Sequence, residues 1–484
     1  MKKFFLSFVA LVAMVGMLNA QRTWAYGLDL EDNDVTYKFV FTASTDVVSA
    51  NLVFLKADGT EAGKVALSNV VKGENTVELT AAQIPGTGEL NWAVELTGAA
   101  IDAMVELTDA NAGIYNYYLP QDVAVDNNPE SDYFGTIYVA EGTDGASDGG
   151  SDRAKTQKRG VFVYNQALEE LNPTSNVGIL PANAAALMTD ASRQAIHRMA
   201  VNPVNNQVAF CYNVEGATAV WSMDPANLAG DAVNLIEGLA ITKANALCFD
   251  AEGTLYVLDN ANTSDGGKVV KVVNGELVTI AQNGIWGVHD ISLVSDGRGG
   301  LWIAQNRWAV DAYAVLSHVN AAGEVDYSVT ASSADAGLFP NDANASYRGQ
   351  CAYNVAEDIL AFGGNKVVTL FQVTYDATTG VPSLTKLLST PALGSNIDGV
   401  AFDYAGDLYV VSASSERFYK FAVPTATNTC TTPAKKNLVV VKGGDESAVD
   451  NITVSTKTAK IVRNGQVLVV RDGKTFNLLG QEVK

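Results

Sequence analysis

Residues 398–410 read DGVAFDYAGDLYV: an apolar run closing on Asp403, a short turn, then a second apolar run. The same shape recurs from Gln121, His197, Asn245, Asp290 and Gly349. Its closing positions are Asp126, Asn202, Asp250, Ser295, Asn354 and Asp403, which lie 45 to 76 residues apart. Asp, Asn and Ser suit such positions because their side chains bond the backbone two residues on and so turn the chain. A unit of this kind buries little by itself and must stack on its neighbours. Six short-strand units at this spacing predict a six-bladed β-propeller over residues 113–425. A ring of blades has to close, because an open sheet edge invites further pairing. The stretch GIYNYY, Gly113 to Tyr118, precedes the first unit and is the candidate outer strand of the last blade.

Working outward, residues 21–112 hold several short alternating runs, among them YKFVFTAS from Tyr37 and NLVFLKADGTEAGKVAL with an Asp58-Gly59 turn. Runs joined by such a turn read as hairpins. Several of them in under a hundred residues predict a small β-sandwich, similar to the Ig-like modules that precede larger domains in secreted bacterial proteins. Trp92 is expected in its core. Beyond the propeller, residues 426–451 are rich in Thr, Lys, Gly and Asp and read as a linker. Residues 452–484 end in KIVRNGQVLVVRDGKTFNLLGQEVK, where Asn464-Gly465 and Asp472-Gly473 separate alternating runs. Those two dipeptides predict a three-stranded antiparallel module. The fold class expected is therefore all-β throughout.

Composition bounds the function. The chain has 484 residues, 48% of them hydrophobic, and a formal net charge of −21. Nucleic acid and anionic membrane are disfavoured as partners, since phosphate binding needs a basic surface. Cationic ligands and divalent metals are permitted. Residues 1–20 read as a secretory signal peptide: Lys2 and Lys3, an apolar stretch from Phe4 to Met17, then Leu18, Asn19 and Ala20 at the cleavage position. No other stretch reads as transmembrane. Of the four cysteines, Cys211 and Cys248 sit mid-strand in apolar settings. Export permits disulfides, and such settings equally suit buried thiols. The acidic insertion from Glu141 to Asp152 spaces Asp144, Asp148 and Asp152 four apart, which fails the ligand spacing of an EF-hand loop.

Two resemblances add expectations. The basic strand opening at Lys460, the two turns and the closing FNLLGQEVK resemble the C-terminal sorting domain of the type IX secretion system of Bacteroidetes. The resemblance implies that the tail engages that machinery and that the protein is secreted to the outer cell surface. The propeller phrases resemble NHL repeats and the gluconolactonase-like six-bladed propellers. In the latter family, residues opening the inner strands hold a catalytic divalent metal. Asn245 in NALCFD and Asp398 in DGVAFD match the family's Asn and Asp, Asp290 is an additional carboxylate, and Gln121 stands where the family has Glu.

Candidate site residues follow from geometry as well. In a propeller the innermost strand of each blade lines the channel, and strand starts from every blade converge on one axis. The starts are Gln121, His197, Asn245, Asp290, Gly349 and Asp398, with Asp122, His289 and Gln350 beside them. Such carboxylates and amides can hold Ca²⁺ or another divalent cation, or hydrogen-bond a polar ligand. Arg307 and Trp308, after the second strand of blade four, are recognition types at a loop tip. The expected function is binding of an extracellular glycan, peptide or protein at the propeller mouth. The alternatives are a metal-dependent gluconolactonase-like hydrolase using Asn245, Asp290 and Asp398, and a purely structural surface protein.

Overall fold

A computed structural model describes residues 21–442 except 33–35, 110, 146–155, 187, 189–195, 214–216, 261–266, 283–290, 306–313, 331 and 340–348, together with the backbone of 459–463, 466–471 and 474–476. The chain is all-β and contains a β-propeller. Among the described residues no helix is long and apolar enough to cross a membrane.

Six sheets follow one another along the chain, opened by the strands Pro120–Val125, Met199–Val201, Ala244–Phe249, Ser292–Ser295, Gln350–Asn354 and Gly399–Phe402. Each is antiparallel, with three described strands in the first and four in the others; the first five are ordered as in sequence, and the sixth takes its outermost strand from an earlier stretch of the chain. The opening strands neighbour one another in turn, and the sixth neighbours the first, so the sheets form a closed ring. Alternation explains the continuous apolar runs. In the strand Val208–Tyr212, Phe210 faces the first sheet beside Val161 and Ala124. Ala209 and Cys211 face the third sheet beside Leu247 and Val257. Both faces of such a strand are buried, so both must be apolar. A separate core fills each of the six gaps between sheets.

The repeated closing residues bind their own turns. Asp250 Oδ1 accepts the amides of Glu252 and Thr254 at 3.1 and 2.7 Å. Asp403 Oδ1 accepts those of Ala405 and Asp407 at 3.1 and 2.8 Å. Asn202 and Asn354 act alike on Val204 and Ala356. In the fourth sheet two neighbours share the role: Ser295 Oγ accepts the Gly297 amide at 3.2 Å, and Asp296 Oδ1 accepts those of Arg298 and Gly300 at 2.7 and 2.8 Å.

Two expectations need correction. The outer strand of the sixth sheet is Val105–Glu106, which pairs with Phe421 and Ala422. Gly113–Tyr115 instead forms a 3-10 turn, and Asn116 makes only an isolated bridge to Arg417. Val105–Glu106 is too short a strand for sequence periodicity to reveal. The second correction concerns the expected linker 426–451. Thr429–Pro433 and Leu438–Val440 both pair with the strand Gly88–Thr97. That strand lies in a sheet with Ser49–Lys56 and Glu61–Leu67, packed on a second sheet of Ala25–Asp32, Thr36–Ala43 and Gly73–Thr80. Leu438 and Val440 are buried in the shared core while Val439 is exposed. The linker reading overlooked this alternation. Trp92 sits in that core, 1% exposed, and its Nε1 donates to the Lys436 carbonyl at 2.7 Å.

The two regions are tied where they meet. Arg22 Nε donates to the Val423 carbonyl at 2.9 Å, and Nη1 reaches Glu357 Oε1 at 2.8 Å. Asn428 accepts the Thr23 amide at 2.8 Å and donates to the Ala99 carbonyl at 2.9 Å. In the tail, Ala459–Arg463, Gln466–Arg471 and Lys474–Phe476 pair as a three-stranded antiparallel sheet.

Candidate ligand channel

The ring brings the starts of the opening strands together around one axis. Gln121, His197, Asn245, Gln350 and Asp398 are all buried there, none more than 4% exposed. Asp290, Arg307, Trp308 and His289 lie outside the described residues, as do Asp148 and Asp152 of the acidic insertion. Gln121 Nε2 donates to the Leu119 carbonyl at 2.9 Å. Asn245 Oδ1 accepts from Asn213 Nδ2 at 2.7 Å, and Asp398 Oδ2 accepts the Ala413 amide at 2.6 Å. In the first sheet an irregularity between Pro120 and Asp122 shifts the register by one residue. Asp122 therefore faces the channel.

Arg198, which the sequence reading passed over, organises this end. Its Nη1 donates to the carbonyls of Gln121, Asp398 and His197 at 2.6, 2.9 and 3.1 Å. Its Nε approaches the Ile291 carbonyl at 3.5 Å. One guanidinium thus joins the starts of the first, second, fourth and sixth sheets. Arginine suits this task because its fork of donors stays charged under all ordinary conditions. The available signal was a lone cation in His197-Arg198-Met199 at the head of an inner strand.

Below Arg198 the channel is a cavity of about 500 Å³. Its walls include Val123, Met199, Ala246, Leu293, Cys351 and Val400, and it reaches the exposed turn residues Ala251, Gly297 and Val355. It therefore opens on the face where the opening strands end, opposite the mouth expected from the sequence. Cys351 and Ser292 join two walls: the Cys351 amide donates to Ser292 Oγ at 2.7 Å, and Ser292 Oγ approaches Cys351 Sγ at 3.2 Å. Burial pushes the Cys351 thiol up to about 12. All four cysteines are free, and only Cys430 is incompletely buried.

Asp122 is the buried lining carboxylate that feels the charge of Arg198. Its Oδ1 accepts the Val123 amide at 2.9 Å and its Oδ2 the Met199 amide at 2.8 Å. Burial pushes its pKa up to about 6, against the pull of Arg198 and the two amides. Gly399 is required beside it, since a Cβ there would lie 2.4 Å from Asp122 Oδ1. Of the side chains that line the cavity, two carry a buried donor with no hydrogen-bond partner among the described residues, Arg198 Nη2 and Gln350 Nε2. Each costs about 1–3 kcal/mol when left unpaired.

The described strand starts do not fit a resident divalent cation. The Asn245 and Asp398 oxygens named above accept internal donors, and a permanent cation is hydrogen-bonded to the Asp398 and Gln121 carbonyls. A second cation beside Arg198 would be repelled in a medium of low effective dielectric. Among the described residues no three His, Cys, Asp or Glu side chains are grouped for metal binding.

No protein-family profile matches the chain. No curated protein matches it in sequence. Among solved structures it is similar to a gluconolactonase of Xanthomonas campestris, at 13% identity and TM-score 0.41 over 69% of this chain and 90% of that one. It is similar to a calcium-binding regucalcin of Agrobacterium tumefaciens, at 12% identity and TM-score 0.40 over 67% and 95%. An auxiliary nutrient-binding protein of Bacteroides thetaiotaomicron aligns at 7% identity and TM-score 0.39 over 81% and 97%.

Proposed function

We propose that this chain is a secreted, cell-surface ligand-binding protein built on a six-bladed β-propeller, with the ligand held in the central channel. The propeller occupies residues 113–425 with Val105–Glu106 as its closing strand. An Ig-like sandwich over 21–112 is completed by residues 429–440, and a sorting module over 452–484 is read by the type IX machinery. The cavity of about 500 Å³ under Arg198, walled by the opening strands of all six sheets, carries the binding reading. A volume of that size suits a small molecule or the tip of a glycan or peptide. The strand-start residues Gln121, His197, Asn245 and Asp398 then act as the scaffold that seats Arg198. Asp290, Arg307 and Trp308, outside the described residues, are kept as candidate contacts for a partner. The hydrolase alternative is weakened by the guanidinium seated among the candidate metal ligands.

Blocking the channel tests the binding reading. Ala200 lines the cavity at the margin of the core between the second and third sheets, so Ala200→Phe should narrow the cavity, with circular dichroism checking that the fold is kept. Thermal-shift screening of a metabolite, glycan and peptide library should find ligands for the natural chain that A200F no longer binds. Hits retained in full by A200F would place binding elsewhere and overturn the channel. Secretion has its own readout. Mass spectrometry of native surface material should show a chain beginning near Gln21 and lacking the residues after about 451. A native chain that stays inside the cell would overturn the export reading.

A further inference from the structure

The channel has chemistry that selects among ligands. Arg198 and Gln350 line it at the strand starts, and each carries a buried donor, Nη2 and Nε2, that no described group accepts from. Its walls are aliphatic along most of their length, as Val123, Met199, Leu293 and Val400 show. Among the lining residues Arg198 is the one cation. A ligand that fits must bring acceptor atoms to one end and apolar surface to the rest. A carboxylate supplies two acceptor oxygens and a charge, and charge-assisted bonds to guanidinium are about twice as strong as neutral ones.

We propose that the channel is a receptor site for a small carboxylic acid with a largely apolar body, seated with its carboxylate on Arg198 and Gln350. The body lies along the strand walls and points to the face where the turns of Asp250 and Asp296 stand. This rests on the reading of the channel as the ligand site. Sheets one, two, four and six hold the guanidinium through its other nitrogens, so Nη2 is pre-positioned and little ordering is left for binding.

One neighbouring charge opposes the ligand. Asp122 faces the same space, and burial raises it to about 6, so it is mainly ionised at neutral pH and mainly neutral below that value. An anion should therefore bind more tightly as the pH falls through 6. The other ionisable groups along the lining are Asp126 and Asp250 at the open end, the thiols Cys248 and Cys351, and the Tyr353 phenol, which burial raises further from this range. Burial raises both thiols, which keeps them uncharged throughout this range.

Decanoate, 1-decanol and decyltrimethylammonium are suitable probes for calorimetric titration of the full chain. Decanoate should bind once per chain, decanol at least about tenfold more weakly, and the ammonium not measurably, as expected for loss of the charge-assisted bond. Between pH 7.5 and 5.5 decanoate should tighten several-fold, and Asp122→Asn should flatten that dependence. Gln350→Leu should weaken decanoate several-fold and leave decanol unchanged, and it avoids Arg198, whose loss would also disturb four sheets. A200F should abolish decanoate binding. Equal affinity for decanol and decanoate would overturn the carboxylate assignment while leaving the channel reading intact. Absence of decanoate binding, or preference for the ammonium, would overturn the assignment as well. Decanoate binding that A200F leaves unchanged would overturn both.

Discussion

Replacing Lys420 by Met should destabilise the propeller by about 3–5 kcal/mol, the usual cost of stranding buried charge by removing its partner. Lys420 is 1% exposed, on the third strand of the sixth sheet. Its Nζ lies 3.2 Å from Asp407 Oδ2 and 3.4 Å from Asp403 Oδ2, and both carboxylates are buried. The Tyr409 hydroxyl donates to Asp403 Oδ2 at 3.1 Å, and the Arg22 amide donates to Asp407 Oδ1 at 3.3 Å. The hydroxyl carries no charge, and the Arg22 guanidinium, which also pulls the Asp407 carboxyl down, is bonded to the Val423 carbonyl and Glu357. Burial, with Asp403 adding to it, already holds the Asp407 carboxyl up at about 7, although Lys420 pulls the other way. A carboxyl whose folded pKa is raised favours folding in its protonated form. Its contribution is complete below the unfolded value and is lost as the pH rises through about 7. The K420M deficit should therefore be largest above pH 8 and shrink as the pH is lowered toward 5. Denaturant melts across that range measure it. A deficit under about 1 kcal/mol at pH 8 would show that the two carboxylates do not depend on Lys420.

Ending the chain at Pro424 should unfold the sandwich and spare the propeller, whereas ending it at Lys442 should spare both. The first truncation removes Thr429–Pro433 and Leu438–Val440 and exposes the edge of Gly88–Thr97 that they cover, leaving it paired with Ser49–Lys56 alone. It also leaves Trp92 Nε1 and the Tyr37 hydroxyl without the Lys436 and Val439 carbonyls they donate to at 2.7 and 2.6 Å. Leu438 and Val440 leave the core with it. Each such side chain is worth about 1.5–3 kcal/mol of burial. Calorimetry should show one transition lost in the shorter chain, and limited proteolysis should cut within residues 25–97. If residues 426–442 were a plain linker, the two truncations would behave alike.

The repeats were legible because alternation and turn chemistry act locally. Asp250 and Asp403 are marked by their own following residues, and Phe210 flanked by Ala209 and Cys211 announces a strand buried on both faces. What escaped was set by distant partners. Val105–Glu106 is a strand only because the edge at Phe421 and Ala422 needs one, and Thr429–Pro433 only because Gly88–Thr97 does. The channel was legible in part. The strand starts were located, and Asn245 and Asp398 do lie there. Their side chains turned out to be internally bonded, and the group that joins the strand starts is Arg198, which is held by carbonyls from four sheets. No neighbouring residue in the sequence announces such a partner set.

The sandwich strand Gly88–Thr97 waits for a partner that lies more than three hundred residues further along, since Thr97 meets Thr429 across a separation of 332. A chain emerging from its amino end can therefore begin this region early but can complete it only after the whole propeller has appeared. Closing so long a loop is costly when the intervening segment is unfolded and far cheaper once that segment has become compact with its ends together. Arg22 and Asn428 hold those ends side by side. Completion of the sandwich is thus a signal in time: a chain whose propeller has failed to close keeps an unpaired strand edge on display, and that edge marks it as unfinished.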